Sequence, residues 1–442
     1  MRSRLAIIAS GIPSPLTSAL EFANQARAAG YEVHILAPAA SASMILHAGF
    51  RHYVIPNPKI NAFQPLLPPA REPDTDVNDR LDAAISSLGV DVLANTLSEV
   101  KPDAVFVDCE LHAHIIVALS LDYPVIQYSN MFLSRPGFRA PPLHRRVIPG
   151  RGLRGSKIGV LLVWMHYLLG KASKVLRNRV ADRGADYPRA LLKLASRYRV
   201  PILKLLRLVT WQMPWTYRIP IVLFLPEALD LPTRPYSNQT YLGPMILRDR
   251  RERDHNRETV EQFCEAQSGR KRIYVAFGTI MQPESALVRR IWEVARRHPE
   301  WQFLYAAGKD WSDTAAISVL ENVHVVPWVP QHRVLHDVDL AIMHGGTGGL
   351  IEAVAAATPM LLYPHINDQH GSAARAEFHG IGRMGDRKDP IEKIEVDIAD
   401  LLGNPDIRVN CIRMQKACNE EIDREILGQY LTKLVSENSD LK

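Results

Sequence analysis

Cysteine is scarce in this chain: Cys109, Cys264, Cys411 and Cys418 are the four present, and none forms a CxxC pair. That spacing argues against a zinc ribbon or a disulfide framework and fits a reducing compartment. Long apolar runs are missing too. The longest, Ile158 to Gly170 (IGVLLVWMHYLLG), holds thirteen residues and contains a histidine and a tyrosine. A membrane-spanning helix needs about twenty apolar residues. The opening MRSRLAIIASG is too short an apolar run for a signal peptide and ends in a Gly/Pro loop, so it is expected to form a first β-strand. Neither an internal repeat nor a low-complexity tract is apparent.

What remains is an ordinary globular composition, 47% hydrophobic and 23% charged, in a chain of 442 residues, enough for two large domains. The total charge of +6 hides an asymmetry: Leu133 to Arg218 carries 19 Lys or Arg against two Asp, a local +17, which leaves −11 for the rest.

The first forty residues alternate strand and helix patterns: RLAIIAS, then PLTSALEFANQARAAG ending at Gly30, then EVHILAP. Strands apolar at nearly every position are buried on both faces, as parallel strands are. PDAVFVD and PVIQYSN extend the array. From Leu133 the pattern breaks into a Pro/Gly/Arg stretch and then Leu/Arg helical stretches to about Trp215, a helical insertion spanning about 133–218. Phe224 to Pro244 is proline-spaced and aperiodic, the best linker candidate. RIYVAFG, WQFLYAAG, VHVVPW, DLAIMHGG and PMLLYP then predict a second β/α array. The expected partition is 1–235, 236–418 and a C-terminal helix at 419–442 that returns to the first domain. Two β/α domains joined by a linker predict a cleft at the carboxyl ends of both sheets, where ligands of such folds bind.

The stretch IMHGGTGGLIEAVAAATPMLLYPHINDQ, 342–369, is the most informative. It predicts a strand to Met343, a turn over Gly345 to Gly349 and a helix from Leu350 to Ala357. A helix N-terminus exposes unsatisfied N–H groups and a partial positive charge, so it stabilises an anion, and glycines let phosphate oxygens approach the backbone. Such turns are often only tight turns. Singly, Trp328 reads as core, His344 as an interior histidine, Glu352 as a complement to the helix dipole and Asp368 as a turn former. Jointly they supply an aromatic plane for a base, Gln331 and Glu352 for ribose, a glycine loop for diphosphate, and Asp368 with Gln369 for sugar hydroxyls.

With those residues in view, PWVPQHRVLHDVDLAIMHGGTGGLIEAVAAATPMLLYPHINDQHGSAAR resembles the donor-binding signature of the UDP-glycosyltransferases, inverting enzymes of glycosyltransferase family 1. The resemblance extends to the linker, to YVAFGT and, weakly, to GIPSP as the family's GHxxP loop. It implies the α/β GT-B fold, two Rossmann-like domains facing each other across a deep cleft. It implies that Trp328 stacks on uracil with the Val329 backbone at the base edge, and that Gln331 and Glu352 hold ribose. His344, Gly346 and the N–H groups of Thr347, Gly348 and Gly349 would hold diphosphate with Gly278 and Thr279, and Asp368 and Gln369 would grip the sugar. It implies no metal and no cofactor, the UDP-sugar being a co-substrate, since no DxD pair sits where a diphosphate-bridging metal would be expected. Where Gly349 stands, relatives often have Ser or Thr.

The acceptor-side loop is Ser10, Gly11, Ile12 and Ser14, with Ile12 where the family carries its histidine base. Asp108 matches the aspartate that partners that histidine. Three replacements stay open: Asp108 itself as base, His112 or His114 just after it, or an acceptor acidic enough to need little help. Ser10 and Ser14 could orient an acceptor hydroxyl or merely satisfy local backbone.

The basic insertion places Leu161, Leu162, Trp164, Leu168 and Leu169 beside Lys157, Lys171, Lys174, Arg177 and Arg179. An apolar face with cationic rims suits an anionic membrane surface, though such residues also pack on sheets. Nucleic acid is not expected, since cations without a fold motif are poor grounds. The expectation is therefore a cytoplasmic hexosyltransferase, in contact with the inner membrane face, that moves a hexose from a UDP-sugar to a hydroxyl of an apolar or lipid-like acceptor. The alternatives are a non-catalytic nucleotide-sugar-binding protein, motivated by Ile12, and a sugar-nucleotide 2-epimerase.

Overall fold

The computed structural model describes residues 2–58, 76–201, 206–207, 216–247, 257–265, 269–278, 285–308, 320–423 and 426–439. The apolar runs become strands. In the first half these are β1 (Arg4–Ile8), β2 (Glu32–Ala37), β3 (Arg51–Val54), β4 (Ala104–Asp108), β5 (Val125–Ser129), a two-residue antiparallel pair β6 (Leu206–Arg207) and β7 (Thr216–Tyr217), β8 (Ile221–Leu223) and β9 (Gln239–Tyr241). The second half contributes β10 (Lys271–Ala276), β11 (Trp301–Ala306), β12 (Val323–Val326), β13 (Leu340–Met343), β14 (Met360–Leu362) and β15 (Gly382–Met384).

The first sheet is ordered β3-β2-β1-β4-β5-β8-β9 and the second β12-β11-β10-β13-β14-β15, with parallel pairings throughout. These are doubly wound Rossmann-like sheets, whose strand order reverses between β1 and β4 and again between β10 and β13. Ligands of such sheets bind at the carboxyl ends flanking that reversal. The loops beginning at Ser10, Cys109, Phe277 and His344 all emerge there.

Three expectations need adjusting. The linker is not wholly irregular: β9 pairs with β8, so the first sheet runs beyond residue 235. The helix expected at Leu350 begins at Thr347 and ends at Ala355, because Gly345 takes the turn at φ +78° and Gly346 caps the helix in an extended conformation. Gly348 and Gly349 are thus first-turn helical residues. Third, the last described helix of the basic insertion is core, the packing alternative rather than the surface one. The helix Tyr187–Arg197 buries Tyr187, Ala190, Leu191, Leu194 and Ala195 against Leu81, Ile85 and Ile116.

The halves share a core. Phe132, Leu143 and Trp164 belong to the same apolar cluster as Leu350, Ala373 and Met384. At the C-terminus, Leu427 and Leu431 of the helix Ile426–Ser439 pack with Leu16, Leu20 and Ala23 of the helix Pro13–Ala28. Among the described residues no helix is long and apolar enough to cross a membrane.

Candidate active site

The second sheet supplies one wall. β13 delivers His344 at its carboxyl end, and Gly345 turns the chain so that the helix Thr347–Ala355 points its N-terminus into the cleft. The first intrahelical acceptor bond runs from the Leu350 N–H to the Gly346 carbonyl at 3.0 Å, so the N–H groups of Thr347, Gly348 and Gly349 are the ones a helix leaves for an outside anion. His344 lies against Gly278, where a β-carbon would stand 3.1 Å from the ring. Burial lowers its pKa to about 4, so at neutral pH it is an uncharged hydrogen-bonding group. Thr279 lies outside the described residues.

Gln331 and Glu352, distant in sequence, meet: the Gln331 Nε2 donates to Glu352 Oε2 at 2.7 Å, and the Tyr274 hydroxyl donates to Gln331 Oε1 at 3.2 Å. Tyr274 is thus a positioning residue that the sequence reading missed, since it looks like any core position of β10. Trp328 lies half-buried just past β12, and Val329 is buried beside it.

Asp368 accepts from the Thr347 hydroxyl at 2.5 Å, and that hydroxyl lies 3.1 Å from Ser372 Oγ. Burial raises the Asp368 pKa and Thr347 opposes the rise. Gln369 behaves differently from its neighbour. Its Oε1 accepts from the N–H groups of His365 and Ile366 at 2.7 and 3.1 Å, so its carbonyl oxygen is turned into its own loop.

The first sheet supplies the facing wall. Asp108, at the carboxyl end of β4, is 4% exposed and accepts the Glu110 N–H at 3.1 Å. Burial raises its pKa, with the Glu110 N–H and Ser10 opposing. Ser10 is buried, and its hydroxyl and N–H both face Asp108. Gly11, at φ +81°, passes so close to Pro38 that a β-carbon would lie 2.9 Å from that ring. Ile12 precedes the helix Pro13–Ala28 in extended conformation and gives it no side-chain cap.

Of the two candidate histidines, His114 faces the Gly89 backbone within the helical layer, and burial lowers its pKa to about 4. His112 faces Lys171 and the Tyr187 ring, 6.5 Å between centroids, and its pKa falls to about 3, chiefly through burial. Neither value suits a base working near neutrality.

The two walls meet. Ser14 Oγ lies 2.9 Å from where a β-carbon on Gly348 would stand, so the loop after β1 touches the loop after β13. The N-termini of the helices Pro13–Ala28, Thr347–Ala355 and Gln369–Phe378 therefore converge on one region. Below it, Arg375 donates to Asp230 Oδ1 at 2.9 and 2.6 Å, both residues nearly inaccessible, with Phe132 stacked 4.2 Å beneath the guanidinium. Arg146–Asp386 and Arg151–Glu377 add ion pairs across the same junction. Among the described residues no group of three His, Cys, Asp or Glu is placed to hold a metal ion. Glu110, two residues beyond Asp108, is partly exposed; in sequence it is a lone acid after a strand, with nothing local to set it apart.

Residues 307–429 match the family model described as the C-terminal domain of erythromycin biosynthesis protein CIII-like proteins. The chain is 27% identical over 352 residues to the zeaxanthin glucosyltransferase of Pseudescherichia vulneris, covering 77% of this chain and 76% of that protein. It is 26% identical over 152 residues to the oleandomycin glycosyltransferase of Streptomyces antibioticus, a match that spans only 34% of this chain and 35% of that one. In three dimensions it is similar to the glycotransferase of kitacinnamycin, with a TM-score of 0.70, 18% identity and coverage of 98% and 99% of the two chains.

Proposed function

We infer that this chain, a glycosyltransferase of the GT-B fold with an EryCIII-like C-terminal domain, moves a hexose from UDP to a hydroxyl of an apolar acceptor with inversion at the anomeric carbon. One observation carries the donor side of this reading: the Gln331–Glu352 pair and the Thr347–Asp368 pair flank one glycine-bearing helix N-terminus. A carboxylate braced by an amide suits a ribose diol. The amides between the two pairs suit a diphosphate without a bridging cation. Asp368, beyond them, suits the hydroxyls of the sugar. Helix dipoles and amides fixed in place stabilise the charge that builds on the leaving diphosphate.

The apolar acceptor is supported by the zeaxanthin named for the relative that spans most of the chain, since that carotenoid is a long hydrocarbon with terminal hydroxyls. It is supported also by the helix Lys157–Ala181. This helix buries Val160, Trp164 and Tyr167, while Ile158, Leu162, Met165, Leu169, Leu176 and Val180 form an exposed stripe at helical spacing. Lys157, Lys174, Arg177 and Arg179 lie on the same helix. Such a helix lies in an anionic bilayer surface, each nearby cation contributing about 1 kcal/mol, and would bring the acceptor wall to a membrane-dissolved substrate.

Calorimetry with UDP and dTDP tests the donor, with UDP expected to bind more tightly. Incubation with UDP-glucose and zeaxanthin, followed by mass spectrometry, should yield a hexosylated product. Binding of neither nucleotide would overturn the reading. Flotation with phosphatidylglycerol vesicles should carry the protein upward, and exchanging Ile158, Leu162 and Leu169 for Ser should abolish that shift. Equal flotation of the two proteins would remove the membrane contact and leave the transferase reading intact.

A further inference from the structure

We propose that Glu110 is the general base that deprotonates the acceptor, replacing the imidazole that Ile12 cannot provide. This rests on the transferase reading above and adds to it the group that takes the proton.

The argument begins with position. Glu110 follows β4 in the loop at the strand-order reversal, and its own N–H is fixed by Asp108 at 3.1 Å. It remains partly exposed where Asp108 is sealed. It also lies near enough to feel two carboxylates from opposite walls, Asp108 beside it and Asp368 across the cleft. If Asp368 holds the sugar, a carboxylate on the acceptor wall that faces Asp368 stands on the side from which the attacking hydroxyl must come. Asp108 and His112 are both more deeply buried, and His114 faces Gly89.

The groups facing Glu110 are Asp108 at the end of β4, Cys109 just after it, Asp368 across the cleft and the Tyr187 hydroxyl from the helix Tyr187–Arg197. None is a cation. Burial first, then Asp108 and Asp368, raise its pKa to about 8, close to the working range of an efficient general base. In the step itself, the Glu110 carboxylate takes the acceptor's hydroxyl proton as the acceptor oxygen bonds to the anomeric carbon. The bond from that carbon to the diphosphate oxygen breaks on the opposite face, its electron pair leaving on UDP. Glu110 then returns the proton to solvent.

The test compares wild type, Glu110→Gln and Glu110→Asp for UDP binding by calorimetry, for UDP-glucose hydrolysis with water as acceptor, and for transfer to zeaxanthin, from pH 6 to 10. Removing a general base costs about 10²- to 10⁴-fold. Glu110→Gln should lose at least a hundredfold in kcat and its rising limb near pH 8, while UDP affinity changes less than threefold. Glu110→Asp should recover part of the rate and retain a rising limb. Infrared difference titration should show a carboxyl ionising near pH 8 in wild type and not in Glu110→Gln, a readout that needs no turnover. Hydrolysis or transfer by Glu110→Gln within threefold of wild type, or a carboxyl titration unchanged by that substitution, would overturn the proposal. Failure of wild type to bind UDP or dTDP would instead strike at the transferase reading.

Discussion

Glu352 illustrates how one side chain takes its meaning from its surroundings. In sequence it is an acidic residue near a helix start; in the structure it is 5% exposed and accepts from Gln331, which Tyr274 braces in turn. A carboxylate offers about four lone-pair sites, so one that an amide orients can also accept from a diol. Glu352→Gln keeps the shape and removes the charge. A hydrogen bond to a charged group is worth about 1.5–3 kcal/mol, so this variant should bind UDP roughly ten- to a hundredfold more weakly by calorimetry. UDP binding equal to wild type would mean that Glu352 does not touch the ribose. Gln331, Glu352 and Asp368 were legible in sequence because a linear motif spaces them. Tyr274 and Glu110 were not. Their roles come from what the other strand or the other wall places beside them, and that information is not local.

Among the secondary elements, those with unbroken apolar runs were legible and the marginal ones were not. β3 is a half-exposed edge strand whose sequence, RHYV, alternates too little to stand out. β9 and β15 are three residues long and are held by their neighbours' backbones. The glycine helix shows the same limit. Its start depends on which glycine turns the chain, and only backbone geometry reveals that Gly345 does. Gly345 combines φ +78° with the Gln369 carbonyl 3.2 Å from a hypothetical β-carbon. Gly348 has ordinary φ, and its nearest obstacle is the Ser14 hydroxyl at 2.9 Å, the end of an exposed side chain that can rotate away. Gly345→Ala should therefore lower stability by roughly 1–3 kcal/mol, measured by denaturant unfolding. Gly348→Ala should leave stability nearly unchanged and weaken UDP binding by crowding the amides. If the two variants lost the same stability, the helix would not start where the backbone places it.

Across the whole molecule, two features decide how the fold holds together and how it answers to pH. The first is the buried Arg375–Asp230 pair at the junction. Removing one partner of a buried ion pair costs about 3–5 kcal/mol, because the other charge is left without compensation. Asp230→Ala should lose that much in denaturant unfolding, and Asp230→Leu combined with Arg375→Met should recover most of it. A loss below about 1 kcal/mol for Asp230→Ala would mean that the junction is held by its apolar cluster alone. The second feature is the set of titratable groups that desolvation shifts. His112, His114, His144 and His344 have folded pKa values of about 3, 4, 4 and 4, against about 6.5 in an unfolded chain. Between these values the unfolded state binds more protons, so their contribution is complete above pH 6.5 and is lost as pH falls towards 4. Glu110 acts in the opposite sense. Its folded pKa of about 8 lies above its ordinary value of 4.5, so its contribution is complete below pH 4.5 and disappears as pH rises through 8. Stability should therefore fall on both sides of an intermediate optimum. In denaturant titrations from pH 4 to 9, His114→Leu should flatten the acid limb and Glu110→Gln the alkaline one, each leaving the other limb in place. An acid limb equally steep in His114→Leu would mean that the ring already meets solvent in the native protein, contrary to its burial against Gly89.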